Sequence, residues 1–178
     1  MRLDPARSLL AVIDIQERLL AVMPDADRVV ARSARLAEAA RLLDVRTVLT
    51  EQYPRGLGPT DSRLVPLLPP AETKLAFSCA ACDGVAAAAA SATTVVLCGL
   101  ETHVCIAQTA LDLLARGKTV FVAVDAVASR HAIDHETALR RLELAGAIPT
   151  TTEAILFEWC RTAEHPVFKQ VRTLVVDG

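Results

Sequence analysis

The sequence predicts an α/β fold, a three-layer sandwich of helices around a mostly parallel sheet. Apolar, branched-aliphatic runs recur along the chain and end abruptly at polar residues, as buried parallel strands do on reaching a rim. Segments with helical spacing alternate with those runs. Glycines stand where the helices should stop, at Gly117 and Gly146.

Leu9–Ile13 is the first such run and gives way to Asp14-Ile15-Gln16. A helix is expected from Ala26 to Leu43, where Val29, Val30, Ala34, Ala37, Ala40 and Leu43 form one face among Arg28, Arg32, Arg35 and Glu38. Val45–Thr50 then reads as a strand leading to Glu51-Gln52-Tyr53-Pro54, which completes a βαβ unit. Gly56, Gly58 and Pro59 mark an irregular loop, and Thr73–Ser78 reads as a short extended piece. The alanines at 86–90 favour a helix, Thr93–Cys98 a strand, Gly99 a turn and Val104–Arg116 a long helix. Thr119–Val124 is a strand ending at Asp125, followed by a helix over Ile133–Ala145, an extended segment near Ile148–Thr151 and a helix near Glu153–Cys160. The tail Val167–Val176 reads either as a terminal strand or as an apolar arm against a partner subunit. The chain of 178 residues is read as one domain over 1–178, with neither a second domain nor an internal repeat.

Composition narrows the function classes. Aromatic residues make up 3% against a hydrophobic total of 52%, so the core is built from Ala, Val, Leu and Ile. With 19 basic against 21 acidic residues and no basic tract, nucleic acid is not an expected partner, although a local positive pocket for a small anion is compatible with that balance. The start, Met1-Arg2-Leu3-Asp4-Pro5, lacks a secretory pattern, and no segment offers the roughly 20 apolar residues of a membrane span. A cytoplasmic protein without a membrane partner is expected. Five cysteines, an odd number, read as reduced thiols rather than a disulfide framework.

The most informative segment is Gly99–Ile106, which places Cys105 just after a strand-to-helix turn. Unpaired backbone N–H groups and the positive dipole end there favour thiolate over thiol. A downward shift of about 2 units from the free value near 8.5 would make the thiolate dominant at neutral pH. Asp14 and Lys74 are expected at the ends of two other extended segments, and a parallel sheet can bring such ends to one face. Taken singly, each has a bland role: Cys105 as a small buried hydrophobe, Asp14 as a turn cap, Lys74 as a solvated charge.

Together these segments resemble the isochorismatase-like cysteine hydrolases, and the resemblance runs from about Leu9 through Phe168. Its motifs are Asp14-Ile15-Gln16, Gln52-Tyr53-Pro54 with Gly56-Leu57-Gly58, Lys74 with Phe77-Ser78, Gly99–Ile106, and Asp125 through Arg130. The nearest likeness is to the isochorismatase domain-containing branch. The resemblance implies a six-stranded sheet in the order 3-2-1-4-5-6, self-association, Asp14 as general base, Lys74 as the supporting cation and Cys105 as nucleophile. It also implies a cis peptide between Leu100 and Glu101, with the amides of Glu101 and Cys105 forming an oxyanion hole. The reaction so implied is hydrolysis of a small amide-like substrate through a thioester. Hydrolysis of a non-amide bond, such as an isochorismate-type vinyl ether, and a catalytically quiet small-molecule-binding or interaction module both stay open.

Around this set, Gln16 and Tyr53 either line the substrate pocket or satisfy backbone groups, and Glu51 is placed to meet a polar group. His103 either lines the entrance or is a loop residue without catalytic duty. Arg130 either engages a carboxylate or braces the loop, with Asp125 as its expected ionic partner. Glu51-Gln52-Tyr53 has no histidine where nicotinamidases of the superfamily carry an Asp-x-His metal pattern, so neither a metal nor another cofactor is expected. Cys79-x-x-Cys82 reads as a redox pair or as packing, and Arg55–Pro59 fails as a phosphate-binding fingerprint.

Overall fold

The computed structural model describes residues 2–176. Its elements run β1 (Ser8–Ile13), α1 (Glu17–Leu20), α2 (Ala26–Leu42), β2 (Arg46–Gln52), α3 (Pro54–Leu57), β3 (Glu72–Lys74), α4 (Asp83–Ser91) and β4 (Thr94–Leu100). A π-helical turn, Thr102–Ile106, leads into α5 (Ala107–Ala115), then β5 (Thr119–Ala128), α6 (Ala132–Leu144), β6 (Ile148–Thr150), α7 (Thr152–Cys160) and α8 (Phe168–Val176). The sheet order is β3-β2-β1-β4-β5-β6, and every neighbouring pair is parallel.

Alternation along the strands makes three layers. Leu10 and Val12 of β1 face one way with Val96, Cys98 and Phe121, under Val29, Leu36 and Ala39 of α2 and Ile155, Leu156 and Trp159 of α7. Leu9, Ala11 and Ile13 face the other way with Val95, Leu97 and Val120, under Val85 and Ala89 of α4 and Ala110 and Leu113 of α5. Because β1 is buried on both faces, it reads in sequence as an unbroken apolar run. The lone tryptophan is fully buried, and its indole N–H donates to Ser8 Oγ at 3.1 Å, which leaves no polar group stranded at that end of β1.

The structure departs from the sequence expectation in four places, each with a physical cause. Gly99 does not start a turn; it belongs to β4, opposite Ile13, at a register irregularity between β4 and β5. Its φ is +120°, and a Cβ there would lie 1.9 Å from the Ile13 carbonyl oxygen, so only glycine permits this approach. The strand β5 does not stop at Asp125 but continues to Ala128, because the irregularity lets Val127 and Ala128 resume pairing with Gly99 and Leu100. The extended piece expected over Thr73–Ser78 contracts to the end of β3 at Lys74, whose side chain turns inward. Finally, the tail is neither strand nor arm: α8 lays Val171 into the first core, with Leu174 and Val175 packed against it.

The close approach at Gly99 generates a prediction. Gly99→Ala should destabilise the protein by about 3 kcal/mol or more, since the obstructing atom is backbone at a positive φ. Chemical denaturation measures this, and a change below about 1 kcal/mol would mean that β1 and β4 can part at this point without cost.

Candidate active site

The sheet order reverses between β1 and β4, which opens a crevice at the carboxyl ends of the strands. Asp14 follows β1 in a left-handed conformation (φ 53°), Lys74 ends β3, and the π-helical turn after β4 carries Cys105. Aspartate tolerates that backbone region better than most residues, and its amide is tied to Thr50 O at 3.1 Å.

These three side chains meet. Lys74 Nζ donates to Asp14 Oδ2 at 2.6 Å and lies 3.6 Å from Cys105 Sγ. Asp14 is fully buried, and the Lys74 side chain is 2% exposed. Thr50 Oγ1 donates to the other Asp14 oxygen at 2.8 Å. The ammonium also donates to Gln52 Oε1 (2.7 Å) and to the carbonyl oxygens of Phe77 (3.1 Å) and Ala76 (3.3 Å), so the cation is satisfied on every side. A buried ion pair persists only with such additional hydrogen bonds.

The expectation of a resting thiolate is corrected by this environment. Burial pushes the Cys105 thiol up to about 12, and the neighbouring Asp14 carboxylate raises it further than Lys74 lowers it. Cys105 sits within the π-helical turn ahead of α5, where desolvation and the adjacent anion both favour the protonated form. The resting nucleophile candidate is a thiol beside the Asp14–Lys74 pair, 3.6 Å from the Lys74 ammonium.

The Leu100–Glu101 peptide is cis. The amides of Val104 and Ile106 both donate to Glu101 O, at 3.1 and 3.2 Å, which fixes the turn around Cys105. Glu101 Oε2 accepts from Arg130 Nε at 3.1 Å and from the Arg130 backbone N–H at 3.0 Å. This corrects the expected Asp125–Arg130 pair. Asp125 points to the α2 face instead, accepting from Thr152 N (2.8 Å) and Oγ1 (3.0 Å) and pairing with Arg32 at 3.5 Å. The β5 irregularity separates the two residues' surroundings, which spacing along the chain does not reveal.

Over Cys105 lies a cleft of about 270 Å³ with walls from Leu19, Leu57, Phe77 and Val104 and polar groups from Gln52, Glu101 and Arg130. None of the four residues singled out for substrate contact lines it. Gln16 is fully buried and stitches loop backbone, donating to Gln52 O and Gly58 O and accepting from Gln52 N. Glu51 accepts from Thr60 N and Oγ1, both at 2.7 Å. His103 Nδ1 bonds Ser129 Oγ at 3.0 Å. Tyr53 borders an adjoining hollow with Arg55, Thr73, Lys74 and Leu75. The sequence reading passed over Thr50, Gln52 and Phe77 as site residues. Gln52 and Phe77 stood inside quoted motifs, while Thr50 carried only the signal of ending a strand beside the one that delivers Asp14.

Cys79 and Cys82 are buried free thiols in the second core, both raised by burial, with Cys79 accepting from Thr109 Oγ1 at 3.4 Å. Among the described residues, no group of three or more His, Cys, Asp or Glu side chains is arranged to hold a metal ion. Among them, too, no helix is long and apolar enough to cross a membrane.

A parallel α/β sheet with cysteine, aspartate and lysine gathered at its switch point defines a class before any comparison is made. Residues 8–154 match the model of the isochorismatase domain, and the chain belongs to that family, close to the isochorismatase domain-containing protein 2 branch. Isochorismatase domain-containing protein 2 of Bos taurus is 43% identical over 175 residues, covering 98% of this chain and 85% of its own. The mouse protein 2A is 39% identical over 175 residues with the same coverage. Among solved structures, one described as the MAR1 ribonuclease of Caenorhabditis elegans superposes with a TM-score of 0.96 at 39% identity, covering 99% of this chain and 93% of that one. That finding corrects the expectation that nucleic acid is no partner: the ground for excluding it was near-neutral net charge, which describes a whole surface rather than one cleft.

Two outcomes are expected from the ion pair and its surroundings. Lys74→Met should cost about 3–5 kcal/mol in chemical denaturation by stranding the Asp14 charge, and adding Asp14→Asn should recover much of that loss; strictly additive losses would contradict a coupled pair. His135, whose Nδ1 bonds Thr102 Oγ1 at 2.9 Å, is held below its ordinary pKa by burial and then by Arg28. Its contribution to stability is complete above its unfolded value of about 6.5 and is lost as pH falls through the lowered folded value. His135→Gln should therefore narrow the difference in Tm between pH 7 and pH 5, a comparison that an unchanged difference would refute.

Proposed function

We propose that the protein is a cysteine hydrolase acting on a small amide-like substrate through a thioester. The observation that carries this reading is the contact of one lysine ammonium with both a buried carboxylate and a cysteine sulfur, at 2.6 and 3.6 Å. In the first half-reaction the Cys105 sulfur attacks the carbonyl carbon while its proton passes to Asp14. The amides of Glu101 and Cys105 take up the developing oxyanion. Asp14 then gives the proton to the departing amine, leaving an acyl-Cys105 thioester. Water, deprotonated by Asp14, attacks that thioester, and the carboxylic product leaves as Cys105 regains its proton. Lys74 holds the Asp14 carboxylate in place and moderates the charge on sulfur.

This mechanism suits a resting thiol. An attacking group that starts neutral needs a base within reach, and Asp14 shares the Lys74 ammonium with the Cys105 sulfur, at 2.6 and 3.6 Å. The domain acts over residues 1–178 in a cytoplasmic setting, a reading supported by five free cysteines. Self-association belongs to the same reading and is supported by large apolar side chains left exposed on α6, Ile133 at 70% and Leu144 at 84%.

A second reading, cleavage of RNA, is favoured by one observation, the ribonuclease description of the C. elegans protein at 39% identity. One panel separates the two. Small amides and RNA oligonucleotides are offered to wild type, Cys105→Ala and Asp14→Asn, with ammonia release, oligonucleotide length and intact protein mass followed. Amide turnover should fall at least about 10³-fold in both variants, with an acyl adduct on wild type only. RNA cleavage without amide turnover would replace the first reading with the second, and an adduct persisting in Cys105→Ala would remove Cys105 as nucleophile.

A further inference from the structure

Next to the Cys105 cleft lies a second hollow of about 440 Å³, lined by Tyr53, Pro54, Arg55, Thr73, Lys74 and Leu75. Of Asp14, Lys74 and Cys105, only Lys74 reaches it. It is larger than the cleft of about 270 Å³ and falls within the size range of small-molecule sites. Its aromatic wall is fixed in place. Tyr53 holds a left-handed backbone with φ at 38°, which is strained for so bulky a residue. Its amide donates to Lys74 O at 3.0 Å, and the amides of Gly56 and Leu57 donate to Tyr53 O at 2.9 and 3.0 Å. Arg18 Nη1 donates to Gly56 O at 2.7 Å and so pins the same turn from outside. A Cβ on Gly56 would fall 2.3 Å from Tyr53 Cε1, so the ring lies directly against that glycine. Even so, Tyr53 is 51% exposed. Strain kept in order to hold a half-exposed ring still points to a use for the ring.

The groups around that ring are uncommitted. Among the described residues, no carboxylate comes within ion-pair distance of the exposed Arg55. Neither the Tyr53 hydroxyl nor the Thr73 hydroxyl has a hydrogen-bond partner among them. Lys74 differs, since its ammonium is engaged by Asp14, Gln52 and carbonyl oxygens and is not available to a ligand here. A fixed aromatic face gains from stacking with another flat ring, and a free guanidinium matches phosphate oxygens with its fork of donors. Arg55–Pro59 forms no glycine-loop cradle, so a phosphate would be met by the side chain rather than by backbone.

We propose that this hollow is a nucleotide-binding site, with the base stacked on Tyr53, the phosphate on Arg55 and Thr73 as a hydrogen-bonding group for sugar or base. The site is separate from bond cleavage at Cys105 and stands whichever of the two reactions takes place there.

Calorimetric titration of the full chain with AMP, adenosine and ribose 5-phosphate tests it, after Tm has shown each variant to be folded. AMP should bind at least about fivefold more tightly than either fragment, because each fragment lacks one of the two anchors. Tyr53→Ala should weaken AMP at least about fivefold, while Tyr53→Phe, which keeps the stacking face, stays within about twofold of wild type. Arg55→Gln should weaken AMP by a similar factor and leave adenosine unchanged. A short adenylate oligonucleotide identifies the source of the nucleotide: tighter binding than AMP marks a strand, equal or weaker binding a free mononucleotide. No AMP binding at millimolar concentration, equal affinity for AMP and adenosine, or AMP affinity indifferent to both Tyr53→Ala and Arg55→Gln would overturn the proposal.

Discussion

The ion pair between Asp14 and Lys74 is the constraint on which the site depends. Two opposite charges buried to this degree cost several kcal/mol each to desolvate, and that cost is offset only by near-contact geometry and by hydrogen bonds on the remaining valences. Both conditions are met: the pair is 2.6 Å apart, Thr50 takes the second carboxylate oxygen, and Gln52 and two carbonyl oxygens take the ammonium. Every one of those partners sits on or just beyond β1, β2 or β3. The parallel register of those strands, clamped by cores on both faces, is therefore what makes the pair possible.

From the pair follows the state of the sulfur. A lone ammonium beside Cys105 would draw out its proton, but here the ammonium is shared with a carboxylate, and the thiol lies in a desolvated position next to that anion. The balance keeps the proton on sulfur until an electrophile arrives. Under the proposed mechanism this couples deprotonation to attack, so that the sulfur is nucleophilic chiefly when a carbonyl is present and less open to adventitious oxidation between turnovers.

Much of the architecture was legible in the sequence because buried parallel strands leave a plain mark. The runs at Leu9, Val45, Thr93 and Thr119 each matched a strand within a few residues, and Asp14 stood where an apolar run gave out, whereas Lys74 ends the polar strand Glu72-Thr73-Lys74 and was marked by its family motif. The strand order came from the family resemblance, since strand patterns alone do not fix which strands pair. Less legible were features that depend on one strand's offset against another. The irregularity at Gly99 carried β5 past Asp125 and turned that carboxylate away from Arg130, and no local pattern announces such an event. Gln16, Glu51, Tyr53 and His103 lay in the right segments, yet three of them face the scaffold and Tyr53 an adjoining hollow, because the direction of a side chain beyond a strand end is set by loop geometry. The thiolate expectation failed for a related reason: position near a helix start is visible in sequence, whereas burial beside a carboxylate is not.

The most direct test of this account is an ultraviolet titration of the Cys105 thiolate, taken as the difference between wild type and Cys105→Ser. A sulfur held protonated by burial and by Asp14 predicts no thiolate absorbance at neutral pH, with the signal rising only in strongly alkaline solution near the value of about 12. Thiolate absorbance already complete at neutral pH would contradict it, and the Asp14–Lys74 pair would then have to be regarded as activating the sulfur in advance rather than receiving its proton during attack.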